Sequence, residues 1–539
     1  MPPVIAYHID LRCSTWTRAY LATIADRLQA WGYNTLLYEL EDKFPYARHP
    51  AIARADAPSR EEHADFAARC RAQGMEIIPL VQSLAHSEYI LAKPEYAHLR
   101  EQAEVKDQYD PLSPAVLSFL IELFDEVIDV FGPREFFHMG GDESWTLGTS
   151  ANCTERVAAI GVGGLYLQHM LPLFNHLGTR GLRPIIWADM AVTHPAMLRQ
   201  MPREVVMMDW DYATRNSTPR TVNIYGTNPA TGRGYGDMSW DGYCALEMRE
   251  FRAFFEPYLI DAQTRREGTF HPFFYTDALR GHGFDVMTAS SCRCLGDMPG
   301  IPNYSMHLPN CFHSARKGLY DGLGNTVTSW AVRRVHPEVT MLAVYAAAYA
   351  RQHALPFDAA MIGRAFCRDF YGVDRPDFIS LVYLAQQGLS FCRQYVQQEM
   401  LEIFARGEDP LPAAIALHLE RYNDQASLLR TIDSLHEGYQ WSRDKFGGLQ
   451  QQAVRHAANL DYWLEALDLQ LFYLDFLRAA VRGELPGQRK PMLARLDALK
   501  TRTADLFAAT YTRDSLEAEL TARYGFIEGY LTGMAGVGE

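Results

Sequence analysis

Eight short apolar runs recur through the first 355 residues, at 4–9, 34–40, 76–81, 135–139, 183–188, 204–209, 284–289 and 325–330. Amphipathic stretches such as 17–31, 61–73, 114–131 and 165–180 separate them. This alternation constrains the fold more than any other feature. Runs that are apolar nearly throughout belong to parallel strands covered on both faces. Parallel neighbours need a long crossover, and the helical stretches supply it. Gly32 and Gly74 stand where helix C-caps belong, and Pro114 suits a first helical turn. The pattern predicts an α/β fold, a (β/α)8 TIM barrel over residues 1–355. The doubly wound sheet is the competing arrangement. No glycine-rich phosphate turn follows the first run, which weighs against it.

Residues 356–539 lose the strand alternation. Long helical patterns at 413–436, 449–482 and 491–508 predict an all-helical C-terminal domain, with Pro491 in a first turn. A chain of 539 residues is in any case too long for one core. The connection 212–243 is rich in Gly, Asn, Thr, Asp and Tyr. It follows the sixth strand, so it belongs on the C-terminal rim as a long functional or mobile loop.

The net charge of −14 argues against a nucleic-acid partner, because no basic patch would neutralise phosphates. No run approaches the roughly 20 apolar residues that span a bilayer, so no membrane association is expected. The chain opens on a strand-like run, and its nine cysteines are scattered. Cys292 and Cys294 lie close together without the second pair a zinc site would want. These features suit a cytoplasmic chain with reduced thiols and no metal or cofactor. They are compatible with a homo-oligomer.

Barrel chemistry sits at the C-terminal strand ends. The first end carries Asp10 and Arg12, the second Asp42, the third His86, and the fourth His138-Met139-Gly140-Gly141-Asp142-Glu143. Trp187, Trp210 and Trp330 end the fifth, sixth and eighth. Aromatic faces pack on the C–H faces of sugars, and carboxylates hold hydroxyls, so a glycan partner is expected. Adjacent strand side chains normally diverge. Gly140 and Gly141 permit a bend that turns both Asp142 and Glu143 to one pocket. Two close carboxylates then separate in pKa, which supplies one acid and one anion. Arg333 either reaches the pocket and attracts an anionic sugar substituent, or makes a rim salt bridge, for instance to Asp10.

The stretch FFHMGGDESW (residues 136–145) closely resembles the His-x-Gly-Gly-Asp-Glu signature of glycoside hydrolase family 20, the β-N-acetylhexosaminidases. Asp10 with Arg12, Asn34 with Asp42, Ala85-His86-Ser87, and the three tryptophans resemble other family positions in the same order. The resemblance implies that Glu143 is the general acid and base. The substrate's 2-acetamido oxygen would be the nucleophile, and Asp142 would hold the acetamido N–H. It implies removal of a terminal β-linked N-acetylhexosamine with retention. Three positions depart from the family pattern. Gln82 replaces an Asp. Thr288-Ala289-Ser290-Ser291 replaces Asp-x-Tyr, leaving Tyr275 or Tyr304 as substitutes. Trp330-Ala331-Val332-Arg333 replaces Trp-x-Glu. Two other readings stand beside this one: a metal-dependent barrel enzyme using His86, His138, Asp142 and Glu143, and a non-catalytic glycan-binding protein on a degenerate barrel.

Overall fold

The computed structural model describes residues 2–228, 233–294, 297–331, 335–389, 406 and 424–533. Its strands are β1 (Val4–Asp10), β2 (Thr35–Glu39), β3 (Glu76–Leu80), β4 (Phe136–His138), β5 (Arg183–Trp187), β6 (Val206–Trp210), β7 (Thr221–Asn228), β8 (Arg233–Ser239), β9 (Asp285–Arg293) and β10 (Gly324–Ser329). Eight of them close a parallel barrel in the order β1-β2-β3-β4-β5-β6-β9-β10. All eight expected strands are present, and the fold is the expected TIM barrel.

The continuous apolar runs have a direct cause. Leu37, Ile78, Leu80, Ile185, Val206, Met208 and Met287 fill the barrel interior. Their strand neighbours Leu36, Tyr38, Ile77, Ile186 and Met207 pack outward against the helices. β9 and β10 are more polar. There the Asn325 amide nitrogen donates to the Thr288 hydroxyl at 3.1 Å and to Ser314 at 3.0 Å, so its buried N–H groups are satisfied.

The helix Arg60–Ala72 begins at a capping box of Ser59 and Glu62. It ends at Gly74, whose N–H reaches the Arg71 carbonyl while Met75 N–H reaches Cys70. The helix Ala151–Thr179 corrects one expectation. By length and composition alone it could cross a membrane. In the fold it is broken at Gly161, and Leu165, Tyr166, Leu173 and Leu177 are buried in the core between barrel and helices.

The connection after β6 is also not the plain loop expected. It folds into the antiparallel hairpin β7–β8, with residues 229–232 outside the described ones.

Beyond the barrel, the described helices include Gln425–Gln452, Asn459–Val481, Leu485–Phe507 and Arg513–Gly533. The single pattern expected over 449–482 is therefore two helices, broken between Gln452 and Asn459. Pro491 lies inside a helix that starts at Leu485, not in its first turn. Residues 413–423 of the first expected pattern lie outside the described ones.

The last of these helices and the segment before it grip the loop that follows β1. Thr17 N–H donates to the Thr510 carbonyl at 2.8 Å, and Thr512 N–H to Thr15 at 3.0 Å. Thr15 N–H meets the Ser515 hydroxyl at 2.7 Å, and the Ser14 hydroxyl donates to Glu519 at 2.5 Å. A second seam centres on the buried Glu338, which takes Arg27 at 2.8 Å, Tyr20 at 3.0 Å and Asn459 at 2.6 Å.

Candidate active site

The site starts from the bend after β4. Gly140 and Gly141 have φ of 63° and 82°, in the left-handed region. A side chain at either would force a buried neighbour to move. A Cβ on Gly140 would lie 1.8 Å from Gln82 Oε1, and one on Gly141 would lie 2.5 Å from Met170. The bend brings two adjacent carboxylates to one imidazole. His86 Nε2 is 3.4 Å from Asp142 Oδ2 and 3.3 Å from Glu143 Oε2. His86 and Glu143 themselves hold φ of 55° and 47°, so strain is stored on both sides of this contact. Burial opposes the His86 cation, but its bonds to Asp142 and Glu143 outweigh burial and push its pKa up to about 11.

The two acids differ in exposure. The Asp142 side chain is 9% exposed and that of Glu143 is 41%. Asp142 Oδ1 is buried without a hydrogen-bond partner among the described residues. Glu143 therefore faces solvent-borne groups, while Asp142 offers one buried acceptor.

Asp189, two residues after Trp187, was missed from the sequence. Its Oδ2 accepts the Glu143 N–H at 2.8 Å, and its Oδ1 accepts Trp210 Nε1 at 3.4 Å. Burial, then the nearby Asp142, push its pKa up to about 8. The available signal was its place: an acid just past a strand end, in the same tier as Asp142.

The tryptophans divide into two kinds. Trp187 is fully buried inside the barrel, against His138 at 4.6 Å and Trp330 at 5.5 Å between ring centroids. It is floor, not rim. Trp210 and Trp330 are partly exposed. Trp210 meets Tyr212 and Tyr225, and Trp330 Nε1 donates to the Tyr212 hydroxyl at 2.9 Å. His138 Nδ1 accepts the Gly140 N–H at 3.0 Å, so it braces the bend from below. Burial pushes its pKa down to about 3, which keeps the ring neutral.

Arg12 is brought to the same rim. Its Nε donates to Glu41 at 2.8 Å and its Nη2 lies 3.3 Å from Glu39. Glu39 also takes His8 at 3.0 Å and Gln82 at 3.0 Å. Burial alone would raise the Glu39 pKa, but His8 and Arg12 hold it well below the usual range. Gln82 thus links the second strand end to the Gly140 bend. Asp10 is a brace between β1 and β10, accepting Arg12 N–H and Ala331 N–H at 2.7 Å each.

Other expected residues fall elsewhere. Asp42 pairs with Lys43, and Glu41 takes the place beside Arg12. Asn34 sits at the opposite barrel end, accepting Ile5 N–H at 2.8 Å. Tyr275 accepts the Tyr225 N–H and lines one cavity with Trp210, Tyr212 and Tyr225, whereas Tyr304 donates to the Val339 carbonyl. Arg333 lies outside the described residues. His86, Asp142 and Glu143 are close enough to share a metal ion, but His138 is turned to the backbone of Gly140.

Residues 49–226, from the loop after β2 into the β7 hairpin strand, match the model of the glycosyl hydrolase family 20 catalytic domain. Among curated proteins the chain is 30% identical over 213 residues to Hexosaminidase D of Bos taurus, covering 38% of this chain and 62% of that one. It is 29% identical over 213 residues to Hexosaminidase D of Homo sapiens, covering 38% and 44%. The matched stretch thus spans less than two thirds of either relative. Among solved structures, the chain is similar to Flavobacterium johnsoniae chitobiase, at 14% identity and a TM-score of 0.48 over 96% of this chain and 77% of that one.

Proposed function

We propose that this family 20 barrel is a retaining exo-glycosidase that removes a terminal β-linked N-acetylhexosamine, with the substrate's acetamido group as nucleophile. The observation that carries the reading is the pairing of an exposed Glu143 with a buried Asp142 whose Oδ1 has no partner among the described residues. A buried carboxylate oxygen left without a donor is costly unless a ligand supplies one, and an acetamido N–H is such a donor. The two relatives named Hexosaminidase D support the substrate class.

The geometry supports two steps. The Glu143 carboxyl gives its proton to the glycosidic oxygen as the acetamido oxygen attacks the anomeric carbon, and the bond to the leaving group breaks. Asp142 accepts the N–H and stabilises the positive oxazolinium. The Glu143 carboxylate then takes a proton from water, whose oxygen attacks the anomeric carbon and reopens the ring. Both attacks invert, so the configuration is retained. Trp210 and Trp330 offer faces for the sugar ring, and Arg12 offers donors for its hydroxyls.

The test is turnover of aryl N-acetyl-β-glucosaminides and galactosaminides. Glu143→Gln should lose on the order of 10²–10⁴-fold, and less when the leaving group is very acidic. Asp142→Asn should bind a thiazoline analogue of the intermediate far more weakly than the parent. A parent that binds these sugars without hydrolysing them would instead establish a glycan-binding protein. Equal thiazoline binding by parent and Asp142→Asn would remove Asp142 from this role.

A further inference from the structure

A second cluster of ligand-type side chains lies at the C-terminal end of β9, apart from the catalytic pair. It consists of Cys294, just past the strand, Asp297, and His307 in the helix Tyr304–Asp321. One ligand atom from each lies within 4.8 Å of the others. A tetrahedral zinc ion with bonds of about 2.0–2.3 Å sets its ligands roughly 3.3–3.7 Å apart, so small rotations suffice.

The surroundings orient these groups as metal sites orient theirs. His307 Nδ1 is 2.7 Å from the Ser291 carbonyl, which only accepts, so Nδ1 carries a proton. Nε2 is thereby aimed at Asp297, 3.0 Å from Oδ1 and 3.2 Å from Oδ2. Asp297 is itself fixed by backbone donors, Asn303 N–H at 2.9 Å and Cys294 N–H at 3.0 Å. A histidine anchored through one nitrogen and a carboxylate held by N–H groups are the outer-shell arrangement of bound metals. The His307 and Asp297 side chains are each 1% exposed, while Cys294 is partly exposed and gives access.

We propose that Cys294, Asp297 and His307 bind one zinc ion per chain, with a fourth position open to water. A thiolate, an imidazole and a carboxylate together suit a borderline-soft divalent ion better than calcium or magnesium. The charges balance. Metal ligands bind deprotonated, so zinc takes the place of the proton between Nε2 and the carboxylate and of the thiol proton. Two protons are released and the site becomes neutral. The site ties the loop after β9 to its helix and is independent of the glycosidase reading.

The test uses full-length protein freed of metal by chelator and dialysis, titrated with Co²⁺ and then Zn²⁺. One Co²⁺ per chain should bind with a near-ultraviolet thiolate-to-cobalt band, which Zn²⁺ abolishes with the release of two protons. Zn²⁺ should raise the Tm of the parent. Cys294→Ser, at a partly exposed position, should fold, lose the band, bind Zn²⁺ at least tenfold more weakly and show no Tm rise. His86→Asn, in the other cluster, and Cys244→Ser, at an exposed thiol, should keep the band. No stoichiometric binding, a band that survives Cys294→Ser, or a band lost in His86→Asn or Cys244→Ser would overturn the proposal.

Discussion

Gly140→Ala probes the bend that makes the catalytic pair possible. The cost has two parts. A non-glycine residue held in the left-handed region costs about 1–2 kcal/mol. The new Cβ would also fall 1.8 Å from Gln82 Oε1 and 2.7 Å from its Cδ, so Gln82 must leave. Gln82 is buried and donates to the Glu39 carboxylate at 3.0 Å, a charge-assisted bond whose loss costs about 1.5–3 kcal/mol. The sum is about 2.5–5 kcal/mol. Gly74→Ala is the control: its φ is 76°, and nothing lies within 4 Å of the added Cβ. It should cost only the backbone part. Urea unfolding of both variants, with kcat/KM on an aryl N-acetylhexosaminide, measures the difference. Gly140→Ala should lose two to four times as much stability as Gly74→Ala and most of its turnover. The double variant Gly140→Ala/Gln82→Ala should be less damaged than the sum of its parts, because the clash is gone. Equal losses at Gly140 and Gly74, or strict additivity in the double variant, would refute the account of the bend.

His86→Ala removes the cation between Asp142 and Glu143. The folded-state pKa of His86, about 11, lies above the roughly 6.5 of free imidazole, so its charge stabilises the fold fully below pH 6.5 and progressively less as pH rises toward 11. The Tm gap between parent and His86→Ala should therefore be largest near pH 6.5 and shrink steadily above it; a gap that widens with pH contradicts the ion-pair assignment. Glu519→Ala removes the acceptor of the Ser14 hydroxyl and loosens the loop that carries Arg12. Loss of one hydrogen bond to a charged group is about 1.5–3 kcal/mol, which bounds the rise in KM at roughly 10- to 150-fold with kcat little changed, and an unchanged KM would show that the helical region does not position Arg12. Tyr212→Phe removes the acceptor of Trp330 Nε1. It should weaken binding of N-acetylglucosamine by about 1 kcal/mol by calorimetry, and unaltered affinity would make Tyr212 a bystander.

The barrel was legible in the sequence because most of the parallel strands are covered on both faces, which leaves short apolar runs alternating with amphipathic stretches through the first 355 residues. The bend was legible for a similar reason: two glycines before two acids are a local instruction, since only glycine takes those φ values without a clash. Other features depend on which segments meet across the chain. Trp187 and Trp330 end their strands alike in sequence, yet one is sealed in the barrel and the other reaches the pocket. Glu41, not Asp42, takes Arg12, because the short helical turn after β2 sets which carboxylate faces inward. Asp189 acts through the backbone of Glu143, 46 residues away, and no local pattern marks that contact. The grip of Ser515 and Glu519 on the β1 loop joins residues 500 and 505 apart. Periodicity and conformational preference are properties of neighbours in the chain, so the sequence by itself determined the elements, their order and the bend. Burial, pairing and pKa are set by whatever tertiary packing brings alongside, and only the folded barrel decided those.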